Sequence, residues 1–139
     1  MGNNVLALTF PAGKLVTDID SITLVNNTLL NHDIVVPAGE RWWLLNAKIV
    51  NPDDVVRAVY LRTYLEAART NRIQELVTGN VTAGTHIMWP NNVAGATQNN
   101  NPTLVLLEGG HVLNVYYAAG GASTGGTDGA GVIIQYLKL

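Results

Sequence analysis

The chain has 139 residues, no cysteine, and only 13% charged residues with a formal net charge of −2. That length suits one domain burying about two-thirds of the surface its unfolded chain would expose. The missing cysteines exclude a disulfide-built scaffold, and the mild acidity argues against a phosphate-dominated nucleic-acid partner.

No apolar run approaches the ~18 residues that cross a bilayer. The start, Met1-Gly2-Asn3-Asn4, lacks the basic region that opens a signal peptide. A soluble protein made in the cytosol of its producing cell is expected.

Residues 5–10 (Val-Leu-Ala-Leu-Thr-Phe) form a short apolar run closed by Pro11-Ala12-Gly13. Residues 14–25 alternate loosely through Leu15, Val16, Ile19, Ile22 and Leu24, and Asn26-Asn27 makes a turn. Residues 1–30 therefore read as an N-terminal arm or edge strands packed on a body formed by residues 31–139.

The organising stretch is residues 34–50. A β-branched run, Ile34-Val35-Val36, meets a Pro37-Ala38-Gly39 turn and a long second run, which reads as a hairpin. In the second run one alternate set, Trp43, Leu45, Ala47 and Ile49, is wholly apolar and is assigned to the core. The other set, Trp42, Leu44, Asn46 and Lys48, starts apolar and ends polar. On that assignment Trp42 and Leu44 face away from the core, and another sheet, the N-terminal arm or a second subunit must cover them.

Asn51-Pro52-Asp53-Asp54 is a turn that would also start a helix. Residues 55–68 fit both periods, with Val, Tyr and Thr favouring strand and Leu, Glu and Ala favouring helix. Strand is preferred because both flanks are strand-like. Residues 73–77 and 85–89 read as strands separated by a turn-rich 78–84. Residues 90–102 form a polar loop, 103–107 and 112–117 are strands about the Glu108-Gly109-Gly110 turn, and residues 120–131 are a glycine-rich loop. Residues 132–139 close the chain as an integral strand. Short strands spaced roughly 8–12 residues apart, with turn signals between them, predict an all-β protein: a jelly-roll-like antiparallel β-sandwich.

Catalytic and cofactor patterns are weak. His32, His86 and His111 have no second ligand at metal spacing, so no metal site is predicted. Asp18-Ile19-Asp20 has the first spacing of a calcium loop but lacks its glycine and closing glutamate. There is no Gly-x-Ser-x-Gly elbow and no thiol, and the glycines of 120–129 lack the Lys-Ser/Thr ending of a P-loop. The reading is a non-enzyme without cofactor. The positive signal is aromatic, since aromatic residues concentrate at interfaces where charge is depleted. Trp42, Leu44, Tyr60 and Tyr64 are the candidate subunit interface. Trp89 with Asn91, Asn92 and Asn99 is the alternative, a stacking platform for a ligand.

The run Val36-Pro37-Ala38-Gly39-Glu40-Arg41-Trp42-Trp43-Leu44-Leu45 resembles the opening of small virion structural proteins of tailed bacteriophages. So do the proline-flanked loop Pro90 to Pro102, the stretch Leu107-Glu108-Gly109-Gly110-His111-Val112-Leu113 and the closing Val132-Ile133-Ile134-Gln135-Tyr136. The helix formers in residues 55–68 depart from that pattern. The resemblance implies a head decoration (cementing) protein with a jelly-roll body, oligomeric and often trimeric, and it brings no catalytic residues. A homotrimer on the major capsid protein, or on another virion protein, is the expectation, located in the virion and without nucleic-acid or membrane partners. The alternative is a glycan- or receptor-binding module of a phage tail or fibre.

Overall fold

Period-two alternation carries through into ten strands and no helix in the computed structural model, which describes residues 13–22, 29–90, 96–97, 104–118 and 130–139. In chain order they are β1 (Lys14–Ile22), β2 (Leu30–Val35), β3 (Arg41–Asn51), β4 (Arg57–Tyr64), β5 (Arg72–Val81), β6 (Thr85–Trp89), β7 (Ala96–Thr97), β8 (Val105–Glu108), β9 (Val112–Tyr117) and β10 (Ala130–Lys138). They form two five-stranded antiparallel sheets. The first has the order β1-β10-β3-β6, with β8 also on β3, and the second has the order β2-β9-β4-β5-β7. The protein is an all-β sandwich, as its turn spacing predicts. The closing strand β10 lies between β1 and β3, fully paired on both sides.

The core is the space between the sheets. Leu44, Ala47, Ile49, Val132 and Ile134 of the first sheet meet Val59, Leu61, Leu113, Val115 and Tyr117 of the second. Residues 55–68 contain β4 and not a helix. Their alternation, with Arg57, Val59, Leu61 and Thr63 all buried, supplies one inner face. β5 runs on to Val81, past the point where a turn is expected, and pairs with β4 along its length as a hairpin. Residues 14–22 are the edge strand of the first sheet. The expectations for residues 1–12, for 23–28 with the Asn26-Asn27 turn, for most of the 90–102 loop and for 119–129 lie outside the described residues.

Two sequence expectations are corrected. The Pro37-Ala38-Gly39 turn does not close a hairpin, because β2 pairs with β9 in the second sheet whereas β3 belongs to the first. The turn is a crossover between sheets. Glu40 N–H bonds the Pro37 carbonyl at 3.1 Å, and Gly39 takes the φ of +83° that a side chain would disfavour. A second crossover, from β8 to β9, lies against it. Val36 and Gly110 exchange backbone bonds with this neighbouring chain at 2.9 Å, Val36 N–H to the His111 carbonyl and Gly110 N–H to the Val36 carbonyl. A Cβ on Gly109 would come within 3.0 Å of the Pro37 carbonyl oxygen, so the two crossovers abut backbone to backbone.

The second correction concerns the phase of β3. Its register against β10 shifts by one residue, with Asn46 opposite Gln135 but Leu44 opposite Tyr136. Leu45 is the extra residue of a β-bulge, and a bulge reverses which alternate set faces inward. Trp42 (3% exposed) and Leu44 (2%) are therefore core residues along with Ala47 and Ile49. Trp43 stands on the outer face, and Leu45 is also only half-buried. The Trp42 ring stacks on Tyr136 with centroids 4.0 Å apart. Trp42 needs no second subunit to cover it.

Candidate interaction surface

The bulge decides which side chains form the outer face of the first sheet, where Leu15 and Ile19 are exposed, Trp43, Leu106, Ile133 and Met88 half-buried and Leu137 buried. Reading side chains across the register gives three rows on its outer face. One is Leu15, Leu137, Trp43 and Leu106; the next is Thr17, Gln135 and Asn46; the third is Ile19, Ile133, Lys48 and Met88. The middle row is polar but neutral and bonded to itself. Asn46 Nδ2 donates to Gln135 Oε1 at 2.6 Å, and Gln135 Nε2 donates to Thr17 Oγ1 at 3.2 Å. Lys48 is the one charged residue in these rows. Arg41 and Glu108, 3.5 Å apart, mark the rim at the crossover end. Where β8 and β6 meet the edge of β3 end to end, neither pairs with Leu45 or Asn46. An apolar groove of about 310 Å³ opens there, lined by Trp43, Leu45, Trp89, Pro90, Leu104 and Val105.

The outer face of the second sheet is built differently. Its rows are Asn31, Tyr116, Tyr60 and Thr78, then Asp33, Asn114 and Arg62, with Val35, Val112, Tyr64 and Arg72 beyond. Arg62 Nε donates to Glu75 Oε2 at 2.8 Å, and its guanidinium lies 4.3 Å from the Tyr60 ring centroid. Partial burial would lower the Arg62 pKa, but the hydrogen bond and charge of Glu75 outweigh it and hold it above the ordinary value. Arg72 reaches the same carboxylate oxygen at 2.8 Å. Arg69 Nη1 and Asn114 Nδ2 donate to the two oxygens of Asp33 at 2.5 and 2.6 Å.

The sequence-predicted residues fall on both sides of this division. Trp42 and Leu44 are in the core, and so is Trp89, 5% exposed, which removes the aromatic from the proposed ligand platform. Asn91, Asn92 and Asn99 lie outside the described residues. Tyr60 is half-buried beneath Arg62, and Tyr64, 8% exposed, is on the same outer face of the second sheet. The four interface candidates are thus not brought together. Sequence periodicity put Trp43 in the core because the bulge is invisible to it, and Leu106, Leu137 and Met88 join its face through strand pairings that periodicity does not give. Both the unbroken set (Trp43, Leu45, Ala47, Ile49) and the bulged set (Trp42, Leu44, Ala47, Ile49) are wholly apolar. The available signal was the polar pair Asn46 and Lys48, which fit an outer face that begins with Trp43.

The histidines and acids take structural positions. His32 Nε2 lies 2.9 Å from Asp20 Oδ2, a bridge between the edge strands of the two sheets. His111 Nδ1 accepts from Glu108 N–H at 3.1 Å within the second crossover. Among the described residues, no group of three or more histidine, aspartate or glutamate side chains is placed to hold a metal ion. At the end opposite the paired crossovers lies a buried polar knot that the sequence did not announce. Arg57 Nε and Asp53 Oδ2, both fully buried, are 2.7 Å apart, and Arg57 Nη1 donates to the Ala118 carbonyl at 3.1 Å. Asn51 Nδ2 bonds the carbonyls of Val55 and Val81 at 3.0 Å. The knot ties the β3–β4 and β5–β6 crossovers together and has the satisfied partners of a structural element.

Among the described residues, the feature that stands out is the outer face of the first sheet, with Lys48 its one charge. No protein-family model, curated protein or solved structure matches the chain.

Proposed function

We propose that the protein is a non-enzymatic structural module that docks on a larger protein lattice through the outer face of its first sheet. The lattice is a virion shell, and the module decorates or cements it. The observation that carries the reading is the contrast between faces: apolar rows with a single lysine on one, paired charges on the other. Apolar rows flanking an uncharged amide row on a domain this small suit an interaction site, and charge depletion marks the centre of a protein–protein interface. The virion assignment draws its support from the sequence resemblance. The crossovers that alternate between two five-stranded sheets support the jelly-roll form of sandwich that goes with it.

The test is to quantify the protein by mass spectrometry in density-purified virions from the producing cell. A copy number that tracks the major shell protein is expected, and absence from the particles would overturn the reading. A Trp43→Glu, Leu106→Glu variant, shown to be folded by circular dichroism, should be lost from the particles while wild type is retained.

A further inference from the structure

The edge of the first sheet carries an inference that does not depend on the shell reading. β1 is nine residues long, contains no proline, and among the described residues has a strand neighbour on one side alone, β10. Its outward side chains Leu15 and Ile19 are 58% and 64% exposed, among the most exposed large apolar residues described. A long edge strand with bare apolar residues is a template for another strand. The sequence of β1 says which strand it fits.

We propose that two copies of this chain pair β1 to β1, antiparallel about a two-fold axis at Thr17, extending the first sheet continuously across the dimer. Directly opposed residues in an antiparallel pair share a face, so only registers that match outer with outer residues keep the sheet continuous. Centred on Thr17, the pairing sets Leu15 against Ile19 of the second copy, twice, and Thr17 against itself. On the inner face it sets Lys14 against Asp20, twice, and Val16 against Asp18. No like charges stand directly opposed, and both exposed apolar residues are covered. Moving the axis to Asp18 places that carboxylate against its own copy. Moving it to Ile19 places Asp18 against Asp20. Moving it to Val16 shortens the ladder and leaves Ile19 bare. A two-fold interface is self-complementary by construction, and β1 has that property in one register. The dimer also makes the charge-poor outer faces of the two copies continuous.

The chain has no cysteine, so a single introduced thiol reports the register without background. Thr17→Cys should give a disulfide-linked dimer under mild oxidation, because the residue on the axis faces its own copy at a separation of about 4.5–5.5 Å. Ser21→Cys, on the same face of the same strand, should not, because its counterpart lies beyond the ladder. In sedimentation of purified protein, Lys14→Glu should weaken the dimer about tenfold, from two pairs made repulsive. Lys14→Glu combined with Asp20→Lys should recover it when compared in a His32→Ala background, which takes the Asp20–His32 bridge out of the comparison. Trp43→Glu should leave this dimer intact, which separates its failure from failure of shell docking. A wild type that stays monomeric at about 100 μM, or cross-linking of Ser21→Cys as efficient as that of Thr17→Cys, would overturn the proposal.

Discussion

The two outer faces of the sandwich are made from the same fold element and solve opposite problems. On the second sheet, Arg62, Arg72 and Glu75, and Arg69 with Asp33, hold each other through short hydrogen bonds, with tyrosines beneath. Such a face is content in water, because its charges are hydrated or paired already. On the first sheet the corresponding positions hold Leu137, Trp43, Leu106, Ile133 and Met88 around a neutral amide row. The difference teaches that the scarcity of charge in this chain is local. It is local to the outer face of the first sheet, where Lys48 stands alone and the remaining charges of those strands lie at the rim or on the inner side, as in Arg41 with Glu108 and Lys138 with Glu40.

The largest expected effect lies where the second sheet takes charge into the interior. Arg57→Leu strands the buried Asp53 carboxylate and should destabilise the fold by about 3–5 kcal/mol in denaturant unfolding. Adding Asp53→Leu should recover part of that loss, because an apolar pair of similar volume removes the uncompensated charge. A double variant as unstable as the single would show that the Asn51 and Ala118 hydrogen bonds carry the knot instead.

Next comes the contrast within the first sheet that the bulge creates. Trp42→Ala should cost about 3–5 kcal/mol of folding stability, the usual result of emptying a large core site. Trp43→Ala, one residue on, should cost about 1 kcal/mol or less. A reversed order would mean that β3 has no bulge and keeps the unbroken alternation.

That pair of residues also marks how far the sequence could be read. The all-β class, most strand positions and the paired central place of the closing strand follow from alternation and turn residues, which are local. The phase of β3 does not, because a bulge is set by the partner strand, here by the step between Gln135 and Tyr136. A tryptophan pair followed by a leucine pair is apolar in either phase. The Pro37-Ala38-Gly39 turn is a similar case: its residues specify a tight turn but not whether the next strand stays in the sheet or leaves it. The knot was unreadable for another reason, since Asp53 and Arg57 look like ordinary surface charges until the crossovers enclose them.

On the outer face of the second sheet, Arg62→Ala removes one charge-assisted hydrogen bond and the cation–π stack on Tyr60. A loss of about 1–2 kcal/mol is expected. Arg72→Ala, at a half-exposed site on the same carboxylate, should cost about 0.5 kcal/mol or less. If the two variants were equally mild, the tyrosine stack would contribute nothing, and the face would be an ordinary solvated surface.

The smallest effect is one of pH, and it belongs to the rim of the first sheet. The Glu40 carboxylate accepts from Lys138 Nζ at 2.5 Å and from the Trp42 indole Nε1 at 2.8 Å. The Lys138 hydrogen bond first, then that from Trp42, holds its pKa below the ordinary 4.5. A carboxyl lowered on folding binds its proton less readily in the native state. Its stabilisation is therefore complete above about pH 4.5 and is lost as pH falls through the lower, folded value. Glu40→Gln keeps a carbonyl acceptor for the indole but loses the charge that Lys138 uses. The variant should be less stable than wild type at neutral pH, and the gap should narrow below the ordinary value of 4.5. Glu66, whose pKa the Thr70 hydroxyl lowers first, leaves a residual acid slope in both proteins. The difference between the two curves thus isolates Glu40. Curves that run parallel from neutrality down to about pH 3 would show that Glu40 holds Trp42 by geometry alone, with its charge contributing nothing to the fold.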